Sequence, residues 1–373
     1  MGKTSKVSKT VTKMWTKKLL NQSFLRLRPR RHKGREPTTL KSFIEQQECV
    51  IIFSMAKKIS LSGIQPSGRP HIANYFAMMK QLVDQQDEYD VYAIIVDYHA
   101  MKSVRSAKEM KENIINVVLD YLAIGLDPQK VTFFKQSDVS EHTELCWIFD
   151  TITTMPYLMR AHAFKDAEAK NKEIDVGTFN YPMLMAADML LYSPDIIPVG
   201  QDQKQHIEIA RDTAEKFNNT FGEGDQTFKL PKEMIVKELA VIPGTDGRKM
   251  SKSYGNTIPL FGEYEEIKKA VMSIVTDSSE GIPKNVYEIH KLFRNEDELK
   301  KIYAEKTGKY KELKELLIQD IEKFIAPMRE KRKEFAKNIP KALAILKAGG
   351  EKAKKVASKK MEEVREKIGV SVY

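Results

Sequence analysis

The stretch Ile59-Ser60-Leu61-Ser62-Gly63-Ile64-Gln65-Pro66-Ser67-Gly68-Arg69-Pro70-His71-Ile72-Ala73-Asn74 decides the fold of this chain. Residues 59–64 read as a short strand, 65–68 as a turn of small residues, and 71–86 as a helix. Downstream the alternation repeats. Residues 92–96 are a β-rich apolar run. Ser106-Ala107-Lys108-Glu109 carries a capping-box pattern, Met110, Ile114, Val117, Val118, Tyr121 and Leu122 follow at helical spacing, and Gly125 stops the helix. Residues 131–134 and 196–199 are further strands; 141–154, 184–191 and 204–217 are helices. Strands alternating with helices predict an α/β fold, a doubly wound parallel sheet covered on both faces. After Pro259 the pattern is helical only, over 264–274, 296–304, 309–326, 328–336 and 340–368, in Lys/Glu-rich amphipathic segments. The expected division is a basic extension at 1–56, a catalytic domain with a helical insertion at 57–258, and a helical domain at 259–373.

Composition narrows the function. Hydrophobic content of 42% and charged content of 30% are ordinary for a soluble protein, and no stretch approaches the roughly 20 apolar residues of a membrane span. Cys49 and Cys146 are the only cysteines, too few for a thiolate zinc or iron–sulfur site. The net charge of +11 comes from one end: residues 1–35 hold twelve Lys or Arg and no acid, and removing those twelve from 62 leaves 50 bases against 51 acids. The body is near neutral, so nucleic-acid binding there needs local patches. The extension itself reads as a nucleic-acid-binding arm, a transit peptide, or sequence ahead of a true start at Met55.

Several polar groups fall at the carboxyl edge of the predicted sheet, where such folds bind ligands. Gly63, Ser67 and Gly68 let a nucleotide approach the backbone, and the next helix offers free N–H groups to phosphate. His71 and Asn74, three apart, share one face of its first turn; an ordinary helix start with a solvated histidine is the alternative. Asp97-Tyr98-His99 follows the second strand. Tyr181, Met185 and Asp188 form one stripe of a helix whose first turn suits Pro182. Asp188 is expected to be buried and to need a donor, either a ligand N–H or an internal partner. Residues 196–206 run from a strand into the polar turn Gly200-Gln201-Asp202-Gln203, where Asp202 as an N-cap is the plainer reading. Finally, Lys249 and Lys252 sit three apart in Asp246-Gly247-Arg248-Lys249-Met250-Ser251-Lys252-Ser253-Tyr254-Gly255, with Gly244, Gly247 and Gly255 as hinges. Two cations on a mobile arm suit a departing pyrophosphate, although a lone Lys/Ser loop is usually solvated surface.

Residues 63–74, 181–188, 200–206 and 249–253 resemble, in order, the signatures of bacterial-type tryptophanyl-tRNA synthetases of class I, over about 85% of the chain from Lys57 onward. The resemblance implies a Rossmann-like catalytic domain that activates L-tryptophan with ATP to tryptophanyl-adenylate and transfers it to the 3′ end of the cognate tRNA. It implies that Asp188 accepts the indole N–H, that Met185, Ile197 and Val199 wall the ring, and that Tyr181, Gln203, His99 and Gln65 hold the ammonium and carboxylate. ATP would meet Gln65, Ser67, Gly68, His71, Asn74, Gly200, Asp202, Gln203, Ile242, Lys249, Met250, Ser251 and Lys252; the catalytic group among them would be Lys249, Lys252, His71 and Asn74. Mg2+ would accompany ATP, with no zinc or iron–sulfur cluster. A cytoplasmic homodimer is implied, with an organelle as the alternative if residues 1–54 are a transit segment. The helical part, with Arg329, Lys331, Arg332, Lys333, Lys354, Lys355, Lys359 and Lys360, would contact tRNA. Two positions depart from the family: Ala73 stands where it has glycine, and Leu61 where bacterial relatives often carry an aromatic. A tyrosyl-tRNA synthetase, a non-catalytic regulator and a small-molecule nucleotidyltransferase are the competing readings.

Overall fold

The computed structural model describes residues 57–169, 173–200, 203–235, 242–276 and 281–372; the extension expected at 1–56 lies outside them. Five parallel strands, β1 (Ile59–Ile64), β2 (Asp90–Ile95), β3 (Val131–Lys135), β4 (Ile196–Val199) and β5 (Lys232–Ile235), form one sheet in the order β3-β2-β1-β4-β5. β1 pairs with β2 from Ile59↔Asp90 to Ile64↔Ile95, but meets β4 only at Ser60↔Ile196. The chain steps outward from β1 through β3, then returns to the other side of β1. The strand order therefore reverses between β1 and β4, and a crevice opens beyond their carboxyl ends.

β2 shows why 92–96 reads as an unbroken apolar run. Val91, Ala93 and Ile95 enter one core while Tyr92 and Ile94 enter the other, as expected of a parallel strand covered on both faces. The first core takes α1, a continuous helical run of Ile72–Asn74, the π-turn Tyr75–Met79 and Lys80–Gln85, together with α3 (Ala107–Ala123). Between them, α2 (Asp97–Ala100) follows β2. The second core takes α4 (Glu141–Ile152), α7 (Val176–Leu190) and α8 (Lys204–Phe221), with the short α5 (Met155–Leu158) and α6 (His162–Ala169) between α4 and α7. Ser106 caps α3 by accepting from Glu109 N at 3.3 Å, and Gly125 after it has φ +106°. After the sheet come α9 (Tyr264–Met272), α10 (Lys284–His290), α11 (Glu296–Glu305), α12 (Tyr310–Ala336) and α13 (Ile339–Lys367).

Two boundaries differ from the sequence expectation. Pro182 lies inside α7, not in its first turn, because Asp175 caps the helix further back by accepting from Thr178 N at 2.6 Å. Pro327 lies inside α12, and the break expected between 326 and 328 is absent. Each proline removes one helical hydrogen bond, a cost of about 3 kcal/mol. Burial of Met183, Ala186, Ala187 and Leu190 on α7, and of Leu317, Ile321 and Ile325 on α12, offsets it. β5 and α10 were not foreseen.

Helix α13 crosses the open edge of the sheet. Ala342 and Leu346 lie in the first core, and Ala353, Ala357, Met361 and Val364 in the second. Between them Gly349 passes so close to β3 that a Cβ there would stand 1.9 Å from the Phe133 carbonyl oxygen. The helix thus covers an edge strand that would otherwise be open to pairing. Gly→Ala in a helix normally stabilises by about 1 kcal/mol; Gly349→Ala should instead destabilise by about 2–3 kcal/mol, the scale of overpacking. A denaturant melt showing Gly349→Ala more stable than the parent would refute this close approach.

Candidate functional site

The crevice is built first from the β1–α1 turn. Gln65, Ser67 and Gly68 are exposed, and Gly68 adopts φ +51°, a conformation that favours glycine. His71 caps α1. Its Nδ1 accepts from Asn74 N at 3.4 Å while Asn74 Oδ1 accepts from His71 N at 3.1 Å, a reciprocal box. Burial, helped by the nearby Lys252 charge, pulls His71 down to about 4. The imidazole is therefore neutral at pH 7, and since Nδ1 accepts, Nε2 carries the proton and can donate.

The lysine loop reaches this turn. Lys252 Nζ donates to the Ser67 carbonyl oxygen, joining segments 185 residues apart. Ile72 N donates to Ile258 O and Leu260 N to Pro70 O, both at 3.0 Å, so the chain leaving the loop is stitched to the start of α1. Asn256, 2% exposed, organises the loop from inside: its amide donates to Asp246 Oδ1 (2.7 Å) and Lys249 O (3.1 Å), and accepts from Ser251 N (2.8 Å). Gly244 has no room for a side chain, since a Cβ would lie 2.3 Å from the Asn256 amide; it serves packing, while Gly247 and Gly255 supply positive φ. Ile242 and Met250 anchor the loop in the first core, joined by a Met250 N→Ile242 O bond of 3.0 Å. Lys249, Lys252 and Ser253 stay exposed.

The second part is a buried carboxylate. Asp188 on α7 is 4% exposed. His99 Nε2 lies 2.9 Å from its Oδ2, and Gln136 Nε2 donates to Oδ1 at 2.7 Å. His142 Nδ1 also lies 2.7 Å from Oδ1, but misaligned for a hydrogen bond, so this contact is chiefly electrostatic. Burial would push the carboxyl up; the two imidazoles outweigh it and hold Asp188 at about 2. Behind them, His142 Nε2 lies 2.8 Å from the hydroxyl of the buried Tyr192. Tyr181 sits edge-on to His99, its hydroxyl 3.3 Å from His206 Nε2, with Lys102 Nζ 3.9 Å above its ring. A cavity of about 430 Å³ opens beside His99 and Tyr181, lined also by Cys146, Asn180 and Leu184. The Cys146 thiol is pushed up to about 12, mainly by burial, and is unreactive.

Most of the residues singled out in the sequence come to this one edge. Met185 and Val199 pack beside the second core, which contains Ile197 and Leu61. Gly200 O accepts from Gln203 N at 3.0 Å where α8 begins. Asp202 lies outside the described residues. Sequence reasoning missed Gln136, His142 and Asn256. Gln136 immediately follows β3, so the rule that ligands gather beyond parallel strand ends would have found it. Arg329 and Arg332, offered above to RNA, are instead turned inward: Arg329, 7% exposed, donates to Gly262 O at 2.7 Å and pairs with Glu322, and Arg332 pairs with the buried Asp120. Lys331, Lys354, Lys355 and Lys359 remain exposed.

A family described as tRNA synthetases class I (W and Y) matches residues 56–344. The tryptophan–tRNA ligase of Fusobacterium nucleatum is 47% identical over 321 residues, covering 84% of this chain and 98% of that protein. The tryptophan–tRNA ligase of Rhodopirellula baltica is 43% identical over 83% of this chain and 99% of its own length. Among solved structures, Campylobacter jejuni tryptophanyl-tRNA synthetase complexed with ADP and tryptophan superposes with a TM-score of 0.78 at 42% identity, over 83% of this chain and 99% of that one. On that family match and these identities the chain belongs to the class I tRNA synthetases, and within them to the bacterial-type tryptophanyl-tRNA synthetases.

Proposed function

We propose that this protein is a tryptophan–tRNA ligase in which Asp188 reads the indole nitrogen and the lysine loop grips the departing pyrophosphate. The observation that carries the reading is Asp188, a buried carboxylate held ionised at the ligand edge. A carboxylate offers about four lone-pair sites. His99 engages one of them on Oδ2 and Gln136 one on Oδ1, beside which His142 stands at 2.7 Å; the second site on Oδ2 would take the indole N–H. Met185, Ile197 and Val199 would wall the ring, and Tyr181, Gln203, His99 and Gln65 would hold the ammonium and carboxylate.

No protein nucleophile is required, because the tryptophan carboxylate attacks the α-phosphorus of ATP and the bond to pyrophosphate breaks. The chain's part is orientation and charge stabilisation. Lys252 already rests on the Ser67 carbonyl, and His71 presents a neutral donor; with Lys249, Ser251 and Asn74 they would hold the phosphates. Magnesium would ride on ATP itself, since the described groups at this turn are amide, hydroxyl, imidazole and ammonium, which suit phosphate oxygens better than a divalent cation. It would neutralise phosphate charge. Transfer to tRNA would engage the helical part beyond residue 258 through its exposed lysines. The cytoplasm is the compartment this reading favours, with an organelle as the alternative if residues 1–54 are a transit segment. Among the described residues no helix is long and apolar enough to cross a membrane. A homodimer is favoured by exposed apolar side chains around α4, α5 and α7: Trp147, Met155 and Val176 are 70%, 66% and 80% exposed.

Asp188→Ala would strand His99 and Gln136 in the core, so Asp188→Asn is the cleaner variant. It should lower kcat/KM for tryptophan-dependent ATP–pyrophosphate exchange about 100-fold, the worth of a charged hydrogen bond; an unchanged value refutes the assignment. Lys252→Met should reduce kcat by about 100-fold while ATP KM changes little. Removing that cation also favours protonated His71, so its titration by NMR should rise from about 4 toward, without reaching, the ordinary 6.5, because burial remains. Trp147→Lys should convert a dimer to a monomer in sedimentation equilibrium; a wild-type protein that is monomeric at micromolar concentration overturns the dimer.

A further inference from the structure

We propose that Asn256 and Asp246 are positioning residues of the lysine loop: one buried amide, oriented by one carboxylate, presets the backbone that carries Lys249, Ser251 and Lys252. The inference deepens the ligase reading and rests on it.

The geometry begins beneath the loop. Asn256 is 2% exposed, and each polar atom of its side chain is engaged. Oδ1 accepts from Ser251 N at 2.8 Å, while Nδ2 donates to Asp246 Oδ1 at 2.7 Å and to Lys249 O at 3.1 Å. Turned end for end, the amide would set N–H against N–H at Ser251 and oxygen against oxygen at Lys249 and Asp246. A single orientation is therefore allowed. Asparagine is specified here both as donor and as acceptor; aspartate lacks the donors, and alanine lacks both. The two backbone groups it holds flank Met250, whose side chain lies in the first core. The lysine segment is thus pinned twice, by the packing of Met250 and by the amide under its neighbours.

Asp246 is fixed in turn. Its Oδ1 accepts from Arg248 N at 3.0 Å and its Oδ2 from Arg248 Nε at 2.8 Å, and the Arg248 guanidinium lies 4.3 Å from the Tyr254 ring centre. The tip is closed on itself. Both ends of the loop are held as well. Thr245 N donates to Asn256 O at 2.9 Å, and Thr245 O accepts from Val275 N at 2.8 Å, just past α9. At the root, Leu260 N donates to Pro70 O at 3.0 Å, and Arg329 of α12 donates to Gly262 O at 2.7 Å. With both ends fixed, the interior of the loop decides where its lysines stand, and that interior turns on Asn256. On this frame Lys252 Nζ donates to the Ser67 carbonyl and Lys249 stands exposed. Asn256 is buried beneath the loop and Asp246 is spent on Asn256 and Arg248, so the pair acts through the lysines.

The test is tryptophan-dependent ATP–pyrophosphate exchange on the full-length wild type, Asn256→Asp, the exchanged pair Asp246→Asn/Asn256→Asp, Lys252→Met, and Lys252→Met with Asn256→Asp. Asn256→Asp keeps the shape, removes both donors and sets two carboxylates together. It should lower kcat about 100-fold, the cost of a small misplacement, and leave tryptophan KM within about twofold of wild type. Exchanging the pair puts a donor opposite an acceptor again and should recover about tenfold of kcat, the bond to the Lys249 carbonyl remaining lost. In the Lys252→Met background Asn256→Asp should cost no more than about tenfold, because much of its effect passes through that lysine. Unchanged kcat in Asn256→Asp, a tryptophan KM that rises in step with the fall in kcat, no recovery in the exchanged pair, or an undiminished loss in the Lys252→Met background each overturns the proposal. If Asn256→Asp fails to fold, Asp246→Ala at the half-buried partner decides: a kcat about tenfold lower at unchanged tryptophan KM upholds the proposal, and a wild-type kcat overturns it. A wild type with no tryptophan-dependent exchange sinks the ligase reading and this inference with it; normal wild-type exchange with unaltered variants sinks this inference alone.

Discussion

A carboxylate with almost no access to water must be balanced by donors or lose its charge, and Asp188 sets that condition for the whole second core. Its three partners come from three different places: His99 from α2, Gln136 from the end of β3, His142 from the start of α4. Each is in turn fixed. Gln136 accepts from Tyr98 N at 3.1 Å, and His142 lies against the Tyr192 hydroxyl, which sits among Tyr92 and Phe134. The carboxyl ends of β2 and β3 are therefore locked to α7 through one ionised group. The selectivity follows from the same constraint. If Asp188 reads the indole as proposed, an aromatic ligand without an N–H in the right place would leave an acceptor site dry and unpaired, a penalty that apolar walls alone could not impose.

The phosphate half of the site works by the opposite device. It is exposed, and its order comes from backbone stitching. His71 and Asn74 cap each other, the segment after the loop pairs with Pro70 and Ile72, and Asn256 bonds three points of the loop from within. The lysine side chains at the tip stay exposed, with Lys252 Nζ held, among the described residues, only by the Ser67 carbonyl, an arrangement that suits the phosphate role proposed for them. A neutral His71 beside Lys252 adds a donor without a second full positive charge, which limits repulsion when no phosphate is bound.

Much of this was legible in the sequence because the signals are local. The strand–turn–helix at 59–86, the Ser106 cap, the Gly125 stop and the Lys249/Lys252 spacing each depend on residues close together, and each stands where the pattern put it. What escaped depends on distant partners. Nothing near Gln136 or His142 announces Asp188, 52 residues from the first. Pro182 and Pro327 read as boundaries because local propensity says so; tertiary burial on both sides overrides it. Arg329 and Arg332 read as surface because arginine usually is, and only packing against residues 261–263 and α3 turns them inward.

The crossing of α13 over the sheet edge explains why the helical part cannot be treated as a loose appendage. Its first half belongs to the core that contains α1 and the loop anchors Ile242 and Met250; its second half belongs to the core beneath Asp188. The two halves meet where Gly349 lies against the Phe133 carbonyl, two residues before the end of β3 and three before Gln136. A shift of this helix would move the β3 end, and with it one donor of the buried carboxylate. A shift of α12 would move the root of the lysine loop. The carboxyl-terminal helices thus hold the Asp188 cluster and the root of the lysine loop in register, and the reaction proposed here would depend on both being right at once.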